Sequence, residues 1–82
     1  MKSGASITRM IRIAEKWLEC HFRKLPGEHP YYAVESIDPQ GKRKEFSLYL
    51  DAHGHWHLTG LFLPLWLSNS QNIFANVIEE LG

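Results

Sequence analysis

Apolar residues recur at three- and four-residue steps through the first third of the chain, which is the period of one helical face. The positions that share this face are Ile7, Met10, Ile11, Ala14, Trp17, Leu18, His21 and Leu25. Ser6 is suited to cap the start of such a helix, and Pro26 followed by Gly27 ends it. The pattern therefore predicts a helix over residues 7–25.

Two turns of the same kind lie in the middle of the chain, Asp38-Pro39-Gln40-Gly41 and Asp51-Ala52-His53-Gly54. Asp at the first position of such a turn hydrogen-bonds back to the backbone, and Gly at the fourth accepts the left-handed conformation of a bulged hairpin. The two turns predict a three-stranded antiparallel meander with strands at 31–37, 43–51 and 55–59.

The register of this meander follows by counting outward from the turns. Leu48 then faces both Tyr32 and Leu58, and the other facing pairs are Val34 with Phe46 and Leu50 with Trp56. Side chains alternate along a strand, so these residues share one face. That face is apolar, which is typical of a sheet with one side packed on a core.

The end of the chain combines an ambiguous segment with a clear helix. Residues 61–67 have no regular period, and Pro64 interrupts them, so a buried crossing loop, a broken edge strand and a contact arm are all open. A helix over residues 69–81 is predicted by its inward stripe, which is Ile73, Phe74, Val77, Ile78 and Leu81. The expected fold is one α+β domain over residues 1–82, ordered helix, three-stranded meander, helix, with both helices on one face of the sheet.

Apolar residues exceed what this core needs, since 44% of the 82 residues are hydrophobic and three Trp, four Phe and three Tyr are present. An apolar surplus at a surface marks an interface, and aromatic side chains are common at interface centres. We therefore expect a non-enzymatic protein-binding module that acts as a homodimer or as an adaptor or inhibitor docked on a larger protein. Its expected contacts are Phe62, Leu63, Leu65 and Trp66, with Ile13 and Phe22 from the exposed side of the first helix.

Charge is balanced overall but not along the chain. The nine Lys and Arg and nine Asp and Glu give a formal net charge of zero, which argues against a duplex-DNA binder held by phosphate contacts. Residues 1–44 carry all nine basic and five acidic side chains, whereas residues 45–82 carry four acidic and no basic ones. Such an asymmetry could steer a partner or align two copies head to tail.

Single-stranded nucleic-acid binding is the alternative function. The register aligns Tyr31, Tyr49 and His57 across the outward face, where aromatic rings can stack on bases. The neighbouring hairpin would supply phosphate contacts from Lys42, Arg43 and Lys44.

Histidines near the second turn raise the question of metal binding and catalysis. Asp51, His55 and His57 could ligate zinc or nickel, since imidazole and carboxylate are ligands of both metals, but no fourth ligand is fixed by spacing. Acid–base pairs can be written for a His-dependent hydrolase, yet no nucleophile elbow or phosphate-binding loop accompanies them. We therefore expect no enzyme activity and no required cofactor.

Cysteine content and hydropathy bound the environment. The one cysteine, Cys20, excludes an intramolecular disulfide. The longest apolar run, residues 61–67, is far shorter than the ~20 residues of a membrane span, and no apolar leader is seen. A cytoplasmic protein without membrane partners is the expectation.

Overall fold

A computed structural model describes residues 6–81 as a five-stranded antiparallel sheet followed by two helices. The strands lie side by side in chain order, so each pairs with the next one along the sequence. Their bounds are β1 Ile7–Ile13, β2 Lys16–Lys24, β3 Tyr31–Ile37, β4 Arg43–Leu50 and β5 Trp56–Thr59. The helices are α1, Leu65–Ser68, and α2, Gln71–Leu81.

The helix predicted over residues 7–25 is wrong, because this segment forms the hairpin of β1 and β2. The expected order of helix, three-stranded meander and helix, with a helix at each end of the chain, is therefore wrong as well. The same sequence also alternates with period two, since Leu18, Cys20 and Phe22 are buried on one face of β2. Isoleucine and aromatic residues favour strands. Pairing of β2 with β3 then stabilises the strand, with its period of two, over the helix, with its period of 3.6.

The turn between β1 and β2 explains why the hairpin gave no signal in the sequence. Ala14 and Glu15 form a two-residue loop, and their φ angles are 54° and 63°. Two consecutive left-handed residues are typical of the type I′ turn, which favours Asn and Gly. Neither is present here, so nothing marked the chain reversal.

The meander of β3, β4 and β5 has the predicted register. Leu48 pairs with Tyr32 and with Leu58, and Tyr49 pairs with Tyr31 and with His57. Both turns are of the predicted bulged type. Gly41 and Gly54 have φ angles of 85° and 84°, and their N–H groups donate to the carbonyls of Asp38 and Asp51 at 2.9 and 3.1 Å.

One face of the sheet is covered by the two C-terminal helices, and α2 confirms the predicted helix except that it begins two residues later. Phe74 of α2 is fully buried, with its ring centroid 6.3 Å from that of Phe22 and 5.0 Å from that of Phe46. These contacts join the N-terminal hairpin to the meander. The buried apolar residues are Ile11, Ile13, Leu18, Cys20, Phe22, Tyr32, Val34, Phe46, Leu48, Leu67, Phe74 and Ile78.

The opposite face of the sheet, which we call the outer face, has no helix over it in the part of the chain that the structure describes. No helix within residues 6–81 is long and apolar enough to cross a membrane.

The β1–β2 turn provides a direct test of the fold. Replacing Glu15 by Gly places at φ 63° the residue that accepts this conformation without strain, so we expect unfolding free energy to rise by about 0.5 kcal/mol. A helix over residues 7–25 would instead lose about 1 kcal/mol. Glu19→Gly, in the interior of β2, is the matched control and should destabilise by about 0.5 to 1 kcal/mol. Denaturant unfolding measures all three proteins, and a destabilised Glu15→Gly variant would contradict the turn.

Burial of Cys20 predicts an unreactive thiol. Desolvation first, and the charge of Glu19 second, raise the pKa of the Cys20 thiol to about 12, so the thiolate is scarce near neutral pH. We expect a thiol-reactive dye to label the native protein much more slowly than the urea-unfolded protein. Equal labelling rates would show that β2 is not packed under the helices.

Candidate protein-interaction site

The connection from β5 to α1 passes close against the sheet before it turns outward. We call residues 60–65 the apolar loop. A Cβ atom on Gly60 would lie 2.9 Å from the Leu63 Cδ1 atom and 3.1 Å from the Phe46 Cβ atom. A Cβ atom here would require the Leu63 side chain to move and the Phe46 contact to widen by a few tenths of an ångström. Glycine therefore allows the loop its close approach to the sheet without these adjustments.

The side chains of the apolar loop divide into one that faces the core and three that face solvent. Leu63 packs against the core, whereas Leu61, Phe62 and Leu65 are 83%, 94% and 76% exposed. Phe62 has a φ of 55°, a left-handed conformation that costs a non-glycine residue on the order of 1 kcal/mol. The loop therefore presents three large apolar side chains, one of them on strained backbone.

The six residues predicted as interface contacts have different environments. Phe62 and Leu65 are exposed as expected, while Leu63 and Trp66 are half-buried against the core. Ile13 and Phe22 were placed on the exposed side of a helix, and this placement is wrong. Both lie in strands and are buried beneath the helices, so neither offers free surface. That the remaining residues form an interface stays a prediction.

A shallow apolar groove lies near the start of β5, with a volume of about 320 Å³. Lys24 and Glu79 contribute charged groups to its lining. Its apolar lining is Pro30, Tyr32, Leu50, Trp56 and Ile78. The exposed side chains of the apolar loop and this apolar groove therefore lie toward opposite ends of β5.

The aromatic row of the outer face has the predicted alignment. Tyr31, Tyr49 and His57 face each other across three strands, and the rings of Tyr49 and His57 stack with centroids 5.1 Å apart. The Tyr31 hydroxyl donates a hydrogen bond to the Ser47 hydroxyl at 3.1 Å. These contacts account for the row by packing between neighbouring strands.

The basic residues are not beside this row. Arg43 pairs with Ile37, at the end of β3 remote from Tyr31, and six residues of strand span about 20 Å. Arg43 also donates to Glu35 at 3.1 Å. Lys44 pairs with Ser36, whose side chain is buried on the helix-covered face, so Lys44 lies on that side, and Lys42 lies in the turn. Nucleic-acid binding stays a prediction that this geometry does not favour.

Asp51 organises the second turn instead of a metal site. Its Oδ1 atom accepts the backbone N–H groups of His53 and His55 at 2.8 and 2.9 Å, and its Oδ2 atom lies 2.6 Å from the His57 Nε2 atom. Only one imidazole thus reaches the carboxylate. Within residues 6–81, no group of three or more His, Cys, Asp or Glu side chains could hold a metal ion.

Two features of the outer face were not predicted, because both depend on the hairpin of β1 and β2. The His21 ring bonds through Nδ1 to the Thr8 hydroxyl and through Nε2 to Glu19, each at 2.8 Å. A groove of about 860 Å³ crosses the outer face beside His21, over the small residues Ala33 and Ser47. Leu61 borders this groove and is exposed, although it was not among the predicted contacts.

The alternation of apolar and polar residues in β1 and β2 was the one sequence signal that could have indicated the hairpin, and with it the His21 contacts and the groove.

Comparison with known proteins adds no assignment. No family model matches the chain, and neither the curated proteins nor the solved structures include a significant match.

The Asp51 contacts predict a pH-dependent contribution to stability. Hydrogen bonds from His57 first, and from the His55 backbone, hold the pKa of Asp51 well below its ordinary value of 3.8. The carboxylate therefore stabilises the folded state above that ordinary value, and this stabilisation is lost as the pH falls below it. We expect Asp51→Asn to lower the Tm near pH 7, and the difference from the parent protein to shrink toward about pH 2.

Asp38→Asn is the matched control, because Asp38 accepts the equivalent backbone N–H groups of its turn but has no hydrogen bond to histidine within residues 6–81. Its effect on the Tm should be smaller. Thermal unfolding across pH measures both variants, and equal effects would show that the histidine contact contributes nothing.

Proposed function

We propose that this protein is a protein-binding module that associates with a second copy of itself through the apolar loop. Phe62 carries the proposal, since its side chain is 94% exposed and its backbone is held at a φ of 55°. Packing within residues 6–81 does not explain an aromatic side chain here, and backbone preference opposes it. Burial in an interface does explain it, because aromatic anchors dominate the energy of protein contacts.

A second copy is favoured as the partner because the same molecule carries a recess of matching chemistry. The apolar groove near Trp56 and Leu50 lies at the start of β5, and the apolar loop follows the end of that strand. Two copies related by a twofold axis can therefore insert each loop into the groove of the other. Such a reciprocal contact closes after two copies.

The expected association is weak. A twofold dimer buries Leu61, Phe62 and Leu65 of both copies, and each of these six side chains contributes about 1.5 to 3 kcal/mol. Against this stands a loss of translational and rotational freedom of about 4 to 15 kcal/mol, together with the ordering of side chains at the interface. The balance supports a dimer that forms with rising concentration, in which each chain folds on its own.

Phe62→Gly separates an interface role from a core role. Glycine relieves the backbone strain, so we expect the unfolding free energy of the monomer to be unchanged or raised by up to about 1 kcal/mol. Dimer affinity should fall at least about tenfold because the anchor is gone. Light scattering over a concentration series and denaturant unfolding at low concentration measure the two quantities.

Two further variants serve as controls. Met10→Ser removes another exposed apolar side chain, remote from the loop, and should leave the dimer intact. Leu63→Ala truncates the side chain that faces the core and should lower stability. A parent protein that stays monomeric up to about 1 mM would contradict the second copy as partner, and a destabilised Phe62→Gly monomer would contradict the interface role.

A further inference from the structure

The two edges of the sheet differ in how far their backbone groups are satisfied. β1 forms one edge with seven residues, and β5 forms the other with four. At the β5 edge the Leu58 N–H group donates to the side-chain oxygen Oε1 of Gln71 at 2.8 Å, so α2 occupies that edge. No comparable contact to the backbone of β1 is found within residues 6–81.

The β1–β2 turn determines which groups of β1 are free. A two-residue loop is closed by a hydrogen-bonded pair, here Ile13 with Lys16, and such pairs alternate along an antiparallel ladder. The odd-numbered residues of β1 therefore bond to β2. The N–H and C=O groups of Thr8, Met10 and Arg12 point away from the sheet, as a template for one more strand.

Side chains at this edge add an apolar contact on the outer face. Met10 is 56% exposed, and Trp17 of β2 lies one row away opposite Arg12 and is half exposed. An apolar side chain on an added strand, opposite Met10, would contact the Met10 side chain. The edge thus combines free backbone groups with apolar surface, which is the basis of peptide recognition by strand addition.

Charge identifies the kind of strand that fits. β1 carries Arg9 and Arg12 and no acidic residue. Arg9 lies 3.6 Å from Glu80, and both side chains are exposed, whereas Arg12 has no ion pair within residues 6–81. Two like-charged arginines oppose pairing with the β1 strand of a second copy, and they attract an acidic strand.

We propose that the β1 edge binds an extended, acidic segment of a partner protein as a sixth strand of the sheet. The segment accepts and donates hydrogen bonds at Thr8, Met10 and Arg12. On the outer face it places an apolar side chain against Met10 and a carboxylate toward Arg12, and on the helix-covered face it places a carboxylate toward Arg9. This site lies at the opposite edge from the apolar loop and does not depend on the dimer.

A synthetic peptide tests the site. The probe is an acetylated peptide of about nine residues that contains Glu-Thr-Val-Glu flanked by Thr, so that antiparallel pairing places Val opposite Met10 and one Glu opposite each of Arg12 and Arg9. Its control carries Lys at both Glu positions. Binding to the monomeric Phe62→Gly variant keeps the test independent of dimer formation. We expect the acidic peptide to bind at least about tenfold more tightly than the basic one, and the amides of Thr8, Met10 and Arg12 to be protected from hydrogen exchange.

Variants of β1 distinguish strand addition from charge attraction alone. Met10→Pro removes an outward N–H group that the β1–β2 ladder does not use, so the fold is retained and affinity falls about tenfold relative to Met10→Ala. The double change Arg9→Glu and Arg12→Glu should reverse the preference to the basic peptide. Circular dichroism confirms that each variant is folded.

Two outcomes would overturn the proposal. One is equal affinity for the acidic and basic peptides at the parent edge. The other is full binding by a folded Met10→Pro variant, which would mean that the peptide contacts side chains without extending the sheet.

Discussion

The structure depends on the contact that Phe74 makes with two strands that are far apart in the sequence. Its ring lies against Phe22 of the N-terminal hairpin and Phe46 of the meander, and all three residues are buried. The eleven-residue helix α2, with Leu67 of the short α1, covers one face of a five-stranded sheet. Because α2 is the one long helix within residues 6–81, the outer face of the sheet has no helix over it in this part of the chain.

The meander could be predicted from the sequence because local and tertiary signals agree there. Asp at the first position and Gly at the fourth position of each turn fix the hairpin type, and strict alternation then fixes the register. The N-terminal hairpin could not be predicted in this way. Its residues fit a period of two and a period of 3.6 equally well, and the turn at Ala14 and Glu15 lacks the residues that would have decided between them.

The candidate surfaces could be predicted only where a local sequence pattern marks them, and not where they depend on contacts between distant residues. An apolar surplus in residues 61–67 was visible, and Phe62 and Leu65 are exposed. Which side chains turn inward is set by packing against residues distant in the sequence, such as Phe46, which lies beside Gly60, and this packing has no signature in residues 61–67. The β1 edge was not predictable, because an edge exists only once the segment is known to be a strand.

The hydrogen bond from Leu58 to Gln71 also bears on how many molecules can join one sheet. A sheet with two open edges can add strands without limit, as amyloid fibrils do. Here a glutamine side chain occupies a backbone N–H group of β5 that a further strand would need. The β1 edge of one copy therefore cannot pair fully with the β5 edge of the next, and Gln71 opposes the edge-to-edge stacking of copies that leads to fibres.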